Sequence, residues 1–298
     1  MTGTAVVDFA TDRAAVDAAL SAVGDAVEAT LPAPVGSAIA YALRGEGKRL
    51  RACLFLAAYR AAGGDGDATP LAVAIEVVHA YSLVHDDLPC MDDDAVRRGR
   101  PTVHVAFGVP AATAAGLAMV PLAAKAAYEG AIAIGLSPAA AGGVVRELMF
   151  ASGAAGMIGG QLLDLEGEGE ALDLAGLERI HSLKTGALIG LCARVGAVAA
   201  QASPSVVEAL SAYGRAVGLA FQIADDVLDV TATTDQLGKT AGKDLAVHKS
   251  TYPALLGIEG AVSRANALIE EACAVLAAHA LLTPALEQIA RFTVARRS

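Results

Sequence analysis

Tryptophan is absent from this 298-residue chain, and aromatic residues make up only 4% of it. Sheets favour aromatic and β-branched side chains, whereas the apolar content here is mostly Ala, Val and Leu, which favours helices. Cysteine is equally scarce. Cys53, Cys90, Cys192 and Cys273 lie far apart without CxxC or Cys/His spacing, which argues against a zinc site or a disulfide scaffold and for idle thiols in a reducing compartment. Basic residues are outnumbered, 22 Lys and Arg against 32 Asp and Glu, for a formal charge of −10. Non-specific nucleic-acid binding is therefore disfavoured, since it relies on excess positive charge.

Long uninterrupted apolar runs are also missing, although the mean hydropathy is +0.51. The longest uncharged stretch, Val109 to Ala124, contains Pro110, Gly116 and Pro121 and then meets Lys125. That is expected to be a buried helix rather than a membrane span, which needs about 20 mostly apolar residues. Asp8, Asp12 and Arg13 replace the basic and apolar blocks of a signal peptide, so a cytoplasmic, non-integral protein is expected. No shift in composition divides the chain, and one domain over residues 1–298 is expected.

Helical blocks separated by short breaks fill the sequence. Asp8 to Ala29, a second helix to about Leu43, Arg49 to Ala62 and Leu71 to about Pro89 are followed by breaks at Gly135 to Pro138, Gly167 to Gly169, Ser203-Pro204 and Thr231 to Lys243. Two helices, roughly Ala261 to Ala278 and Pro284 to Ala295, close the chain. No segment alternates as a strand does, so an all-α fold is expected.

Two carboxylate clusters stand out against this apolar background. The first runs His85-Asp86-Asp87-Leu88-Pro89-Cys90-Met91-Asp92-Asp93-Asp94 and the second Gln222-Ile223-Ala224-Asp225-Asp226-Val227-Leu228-Asp229. Spacing of four puts Asp225 and Asp229 on one helical face, with Gln222 a turn earlier. Asp86 and Asp92 fall on different faces of a straight helix, and Pro89 is expected to end or kink it so that both approach one ion. Carboxylates about 4 Å apart repel by about 4 kcal/mol at an effective dielectric near 20. A cation relieves that repulsion, and all-oxygen ligands select hard ions such as Mg²⁺, which completes its shell with substrate phosphates.

Cationic groups suited to phosphate lie nearby in sequence. Arg97-Arg98-Gly99-Arg100 follows the first cluster, Gly47-Lys48-Arg49-Leu50-Arg51 opens a helix, and Lys184-Thr185, Lys239-Thr240 and Lys249-Ser250-Thr251 are scattered later. Arginine grips phosphate oxygens in a bidentate manner, and helix starts favour anions. His79 precedes Asp86 by seven residues, two turns up the same face, and is expected to look into the same cavity.

In their order and spacing, GKRLR from Gly47, VHAYSLVHDDLPCMDDD with RRGRPT, GGQLLDL from Gly159, HSLKTGALI from His181, FQIADDVLD and KSTYPALLG from Lys249 resemble the bacterial trans-isoprenyl diphosphate synthases, the farnesyl and geranylgeranyl diphosphate synthases especially. The likeness covers Gly47 to about Arg291. It implies ten or more helices around a central cavity, usually in a homodimer. It implies three Mg²⁺ per active site, with Mn²⁺ an acceptable substitute, held by Asp86 and Asp92 and by Asp225, with Asp229 acting through water; Asp87 and Asp226 complete the metal-binding motifs. Gly47, Lys48, Arg51, His79 and Arg98 match positions that hold isopentenyl diphosphate. Arg97, Lys184, Lys239 and Lys249 match those that hold the allylic diphosphate, with Thr185 and Gln222 near the developing cation. Tyr81 would form the floor that stops growth at farnesyl diphosphate, with the small Ser82 leaving geranylgeranyl diphosphate as the alternative.

Departures from the family pattern fall at Leu117, Pro121 and Ala124, where an Asp, a helix-compatible residue and a Phe are usual; Glu46 and Ala52 are milder changes. Pro121 inside a helix costs on the order of 3 kcal/mol unless the helix already bends. Two rival functions follow. A terpene cyclase would not need the second diphosphate site, and a weakly catalytic subunit modulating a partner synthase would explain Leu117 and Pro121.

Overall fold

A computed structural model of the chain describes residues 9–167, 169–231 and 250–295. Helices dominate, and they gather into two compact units, Phe9–Leu56 with Gly66–Val145, and Ala57–Asp65 with the chain from Arg146 on.

The first unit holds α1 (Ala10–Thr30), α2 (Val35–Leu43), the first part of α3 (Leu50–Ala61), α4 (Thr69–Asp86), α5 (Val103–Phe107), α6 (Val109–Ala133) and the start of α7 (Pro138–Ser152). Its core is α4, buried from Leu71 to Val78 and again at Tyr81 and Val84. Against it lies α6, whose buried face is made of small residues, Ala112, Ala115, Gly116, Ala123 and Ala127, with Met119. Small side chains let the two axes approach closely, which is how a chain poor in aromatics still packs tightly. Glu76 is buried inside this core and accepts the amide of Ala52 at 3.1 Å. It thereby satisfies one of the four orphan donors at the start of α3.

Helix α4 stops at Asp86, three residues short of the expected end at Pro89. Proline supplies no donor for the next turn and disfavours helical geometry in Leu88 before it. The chain then folds back, with the Leu88 amide donating to His85 O at 3.1 Å and the Asp92 amide to Asp86 O at 2.8 Å. Two-residue strands, β1 (Val96–Arg97) and β2 (Arg100–Pro101), pair antiparallel after it, contrary to the expectation of no strands. Arg98 and Gly99 both have positive φ, 52° and 74°, as the tightest hairpin turns require. A hairpin this short has no alternation to betray it.

Pro121 does not break α6, which runs through it for 25 residues with the proline exposed. The stretch from Val109 was expected to be too short and too interrupted to span a bilayer; in fact Val109–Ala133, Pro138–Glu166 and Leu174–Ala199 are each long and apolar enough by length and composition alone.

The second unit contains α8 (Met157–Glu166), α9 (Leu174–His181), a π-helical turn (Ser182–Gly186), α10 (Ala187–Ala199), α11 (Pro204–Thr231), α12 (Tyr252–Ala278) and α13 (Pro284–Ala295). The sequence expected α12 to begin near Ala261; it begins at Tyr252 and kinks at Gly257, whose φ is 70°. Tyr213 of α11 is fully buried and donates to Leu286 O at 2.7 Å, tying α11 to α13. Of the cysteines, Cys53, Cys192 and Cys273 are buried and Cys90 is exposed, all as free thiols.

Candidate functional site

In the first unit a solvent-open cleft with about 600 Å³ of empty space lies between α2, α4 and the β1–β2 hairpin. Arg49, Arg97, Arg98 and Arg100 line it together with His79, Glu46, Glu76 and Asp87. Arg51 reaches His79 from α3, its Nη1 3.5 Å from His79 Nε2. Because a guanidinium only donates, this contact leaves the lone pair on Nε2 and the imidazole neutral. Burial, and then the charges of Arg51, Arg98, Arg97 and Arg49, hold the His79 pKa well below its ordinary value. So many cations around a neutral ring form a site for an anion rather than for a metal.

Each arginine is fixed differently. Arg49, in the left-handed region at φ 50°, donates to Asp17 Oδ1 at 2.6 Å and Gly45 O at 2.6 Å, and its Nη1 lies 3.6 Å from Glu76. Arg98 donates to Glu46 O at 2.5 Å and passes close to Gly47. Arg97 grips Asp87 through Nε at 2.8 Å and Nη2 at 2.6 Å, with Asp94 3.8 Å away. Asp87 is buried, and burial pushes its carboxyl above the usual range even though Arg97 pulls the other way. Tyr41 anchors the hairpin, donating to Pro101 O at 2.8 Å beneath the Arg100 guanidinium.

Asp86 is not among the residues lining this cleft, whereas its neighbour Asp87 is. Asp86 is the last residue of α4, and its carbonyl accepts the Asp92 amide of the fold-back that follows. Tyr81, buried on α4, meets the His85 ring edge-on at 5.6 Å, and burial together with Asp86 pushes its hydroxyl pKa to about 12. Lys48 is exposed at the cleft's edge in sequence.

The second unit builds a polar chain around α11. Thr185 Oγ1 donates to Gln222 Oε1 at 2.8 Å, Gln222 Nε2 donates to Asp226 Oδ1 at 3.2 Å, and Asp226 Oδ2 accepts the Tyr252 amide at 3.0 Å. Lys184 Nζ pairs with Asp164 Oδ2 of α8 at 2.6 Å. These contacts depend on close backbones. A Cβ at Gly160 would lie 2.1 Å from the Lys184 nitrogen, and one at Gly218 would lie 3.0 Å from Gly186 Cα. The π-helical turn carries Lys184 and Thr185 out of α-helical register, a device common at functional sites.

Asp226 is buried with each oxygen accepting from a protein donor, and Asp87 is gripped by Arg97. Asp225 is half-buried, whereas Asp229 is buried with an Oδ2 that has no hydrogen-bond partner among the described residues. An orphaned carboxylate oxygen one turn from a half-buried Asp suits a hydrated hard cation. Among the described residues no three His, Cys, Asp or Glu side chains converge as a ready-made cage, which is compatible with an ion that draws most of its ligands from water and substrate. Lys239 and Lys249 lie outside the described residues.

Residues 33–289 match the polyprenyl synthetase family profile. The chain belongs to that family. It is 44% identical over 268 residues to a farnesyl diphosphate synthase of Escherichia coli, covering 88% of this chain and 89% of that protein. Two solved structures share the fold: an apo FPP/GFPP synthase of Zymomonas mobilis, with TM-score 0.81, 37% identity and coverage of 94% and 96%, and a geranyltransferase of Helicobacter pylori complexed with magnesium and isoprenyl diphosphate, with TM-score 0.77, 30% identity and coverage of 93% and 95%. Family membership makes this polyprenyl synthetase a prenyltransferase with the all-α isoprenoid-synthase fold.

Sequence reading missed Glu76, Asp164 and the Asp226–Tyr252 tie at this candidate site, and gave Arg49 only as one cation of the GKRLR run. Asp164 had a signal, since it closes the GGQLLD run; Glu76 looked like one charge in an apolar helix. His181, set aside as structural, is buried 3.8 Å from Asp226 and stacks on Tyr252. Burial, opposed by Asp164 and assisted by Lys184, lowers its pKa from 6.5 to about 4. Protons bind the unfolded chain more readily between those values, so stability is full above about pH 6.5 and falls as the pH drops toward 4, by about 3 kcal/mol. Denaturant midpoints across that range are expected to show the slope, and His181→Gln is expected to flatten it; an unchanged slope in the variant would assign it elsewhere.

Proposed function

We propose that the chain condenses isopentenyl diphosphate head-to-tail with dimethylallyl or geranyl diphosphate to make farnesyl diphosphate, with geranylgeranyl diphosphate the alternative product. The observation that carries this reading is the arginine-lined cleft around neutral His79, a set of cations suited to a second diphosphate beside the first aspartate motif. A terpene cyclase has no use for it. The unbroken course of α6 through Pro121 gives no support to the modulating-subunit alternative.

Gly47, Lys48, Arg51, His79 and Arg98 hold the isopentenyl diphosphate, while Arg97, Lys184, Lys239 and Lys249 hold the allylic diphosphate. Asp86, Asp92 and Asp225, with Asp229 through water, would hold three magnesium ions, which when bound neutralise the leaving diphosphate. Thr185 and Gln222 present oxygen atoms to the positive charge that grows as the allylic C–O bond breaks. The isopentenyl double bond then attacks, a proton leaves to the released pyrophosphate, and a longer trans-allylic diphosphate results. One family profile running through both units supports treating residues 1–298 as one functional domain. We place it in the cytoplasm as a homodimer.

Purified protein supplied with Mg²⁺, isopentenyl diphosphate and dimethylallyl diphosphate is expected to yield a C15 product by chromatography; no elongated product would overturn the reading. Tyr81→Ala is expected to shift the main product to C20 or longer. A C15 product from that variant would move the floor to another residue.

A further inference from the structure

We propose that Asp226 is a positioning residue that sets which end of the Gln222 amide faces the reacting carbon. The inference rests on the elongation chemistry above and assigns Asp226 a role other than metal binding. Its carboxylate accepts from two sides, the Tyr252 amide at 3.0 Å and Gln222 Nε2 at 3.2 Å. A carboxylate only accepts, so the NH₂ end of Gln222 must turn toward Asp226 and the carbonyl end away from it. The carbonyl end is where Thr185 Oγ1 sits, 2.8 Å away. Thr185 commits its one proton to that carbonyl, so only lone pairs of both groups remain for the bound allyl cation. Reversing the amide would present N–H donors, the positive end of the dipole, to a developing positive charge.

The tie to Tyr252 gives the arrangement its rigidity. That amide belongs to the first residue of α12, on an element Asp226 does not share, and it is buried. Its donor must be satisfied there, so the side chain at position 226 must keep an acceptor facing α12. Asp meets both demands at once. Asn cannot, because its one oxygen is claimed by the Tyr252 amide and its NH₂ is left facing Gln222.

Asp226→Asn is therefore expected to flip the Gln222 amide and lower kcat by about 100-fold, the scale seen when one preorganised dipole is lost. KM for isopentenyl diphosphate and the magnesium concentration for half-maximal rate should stay within about twofold, a range in which binding is essentially unchanged. Adding Gln222→Glu to Asp226→Asn restores an oxygen on both sides: one oxygen of the introduced carboxylate accepts from the introduced NH₂ at position 226, and the other faces Thr185. That double variant is expected to recover at least about tenfold in kcat over Asp226→Asn, the fold-change of part of one restored dipole. A merely structural Asp226 predicts no such recovery. Wild-type kcat in Asp226→Asn, or a double variant no faster than the single, overturns the proposal.

Orientation can also be read without turnover. The side-chain amide protons of ¹⁵N-labelled Gln222, assigned by their loss in Gln222→Glu, are expected to shift upfield in Asp226→Asn as the charge-assisted bond is lost. An unchanged signal overturns the proposal even if the wild-type chain elongates nothing, whereas a wild-type chain that elongates nothing counts against the elongation reading alone.

Discussion

Asp86→Ala is expected to lower turnover by about a thousandfold while leaving the thermal midpoint nearly unchanged, if, as proposed, the residue serves a substrate-bound cation rather than the fold. Asp86 closes α4, where a negative side chain faces the negative end of the helix dipole. Removing it relieves that unfavourable charge at the helix end. Asp225→Ala is expected to behave alike, being half-buried on α11. The contrast is Asp87, one residue on: Asp87→Ala strips the buried partner from Arg97 and is expected to destabilise by about 3 kcal/mol. Parallel measurement of kcat and of melting separates the two roles. Wild-type kinetics in Asp86→Ala would sink the metal assignment.

Gly160→Ala carries the second large effect. Its added methyl would sit 2.1 Å from the Lys184 nitrogen and 2.6 Å from the Leu183 carbonyl carbon, both backbone atoms that cannot rotate aside. Either α8 or the π-helical turn must retreat by about an ångström, at an overpacking cost of about 1–3 kcal/mol. The retreat moves Lys184 away from Asp164 and Thr185 away from Gln222. Misplacement on that scale costs about 100-fold in rate. A melting curve and kcat together check this, and a variant with wild-type kcat would show that the close approach is not needed for catalysis.

Much of the fold was legible because its punctuation is strong. Pro34, Pro138, Pro204 and Pro284 sit at helix starts or their caps, and the glycine breaks fall where expected. The ends that moved were those decided by tertiary partners. Glu76 reads as an anomaly until the Ala52 amide is seen opposite it. The aspartate runs announced a charged site, but a run of letters does not say which carboxylates point outward. Asp87 and Asp226 found donors that lie 10 and 26 residues further along the chain, which no local spacing announces.

Arg97 leaves folding with most of its freedom already surrendered, its guanidinium clamped edge-on by Asp87. Freezing so long a side chain at the moment of association would weaken binding by about 0.5–1.5 kcal/mol. Here that loss is charged to the folding step, once per molecule. On the proposed reading, an arriving diphosphate would meet a guanidinium already held in place rather than a swinging one.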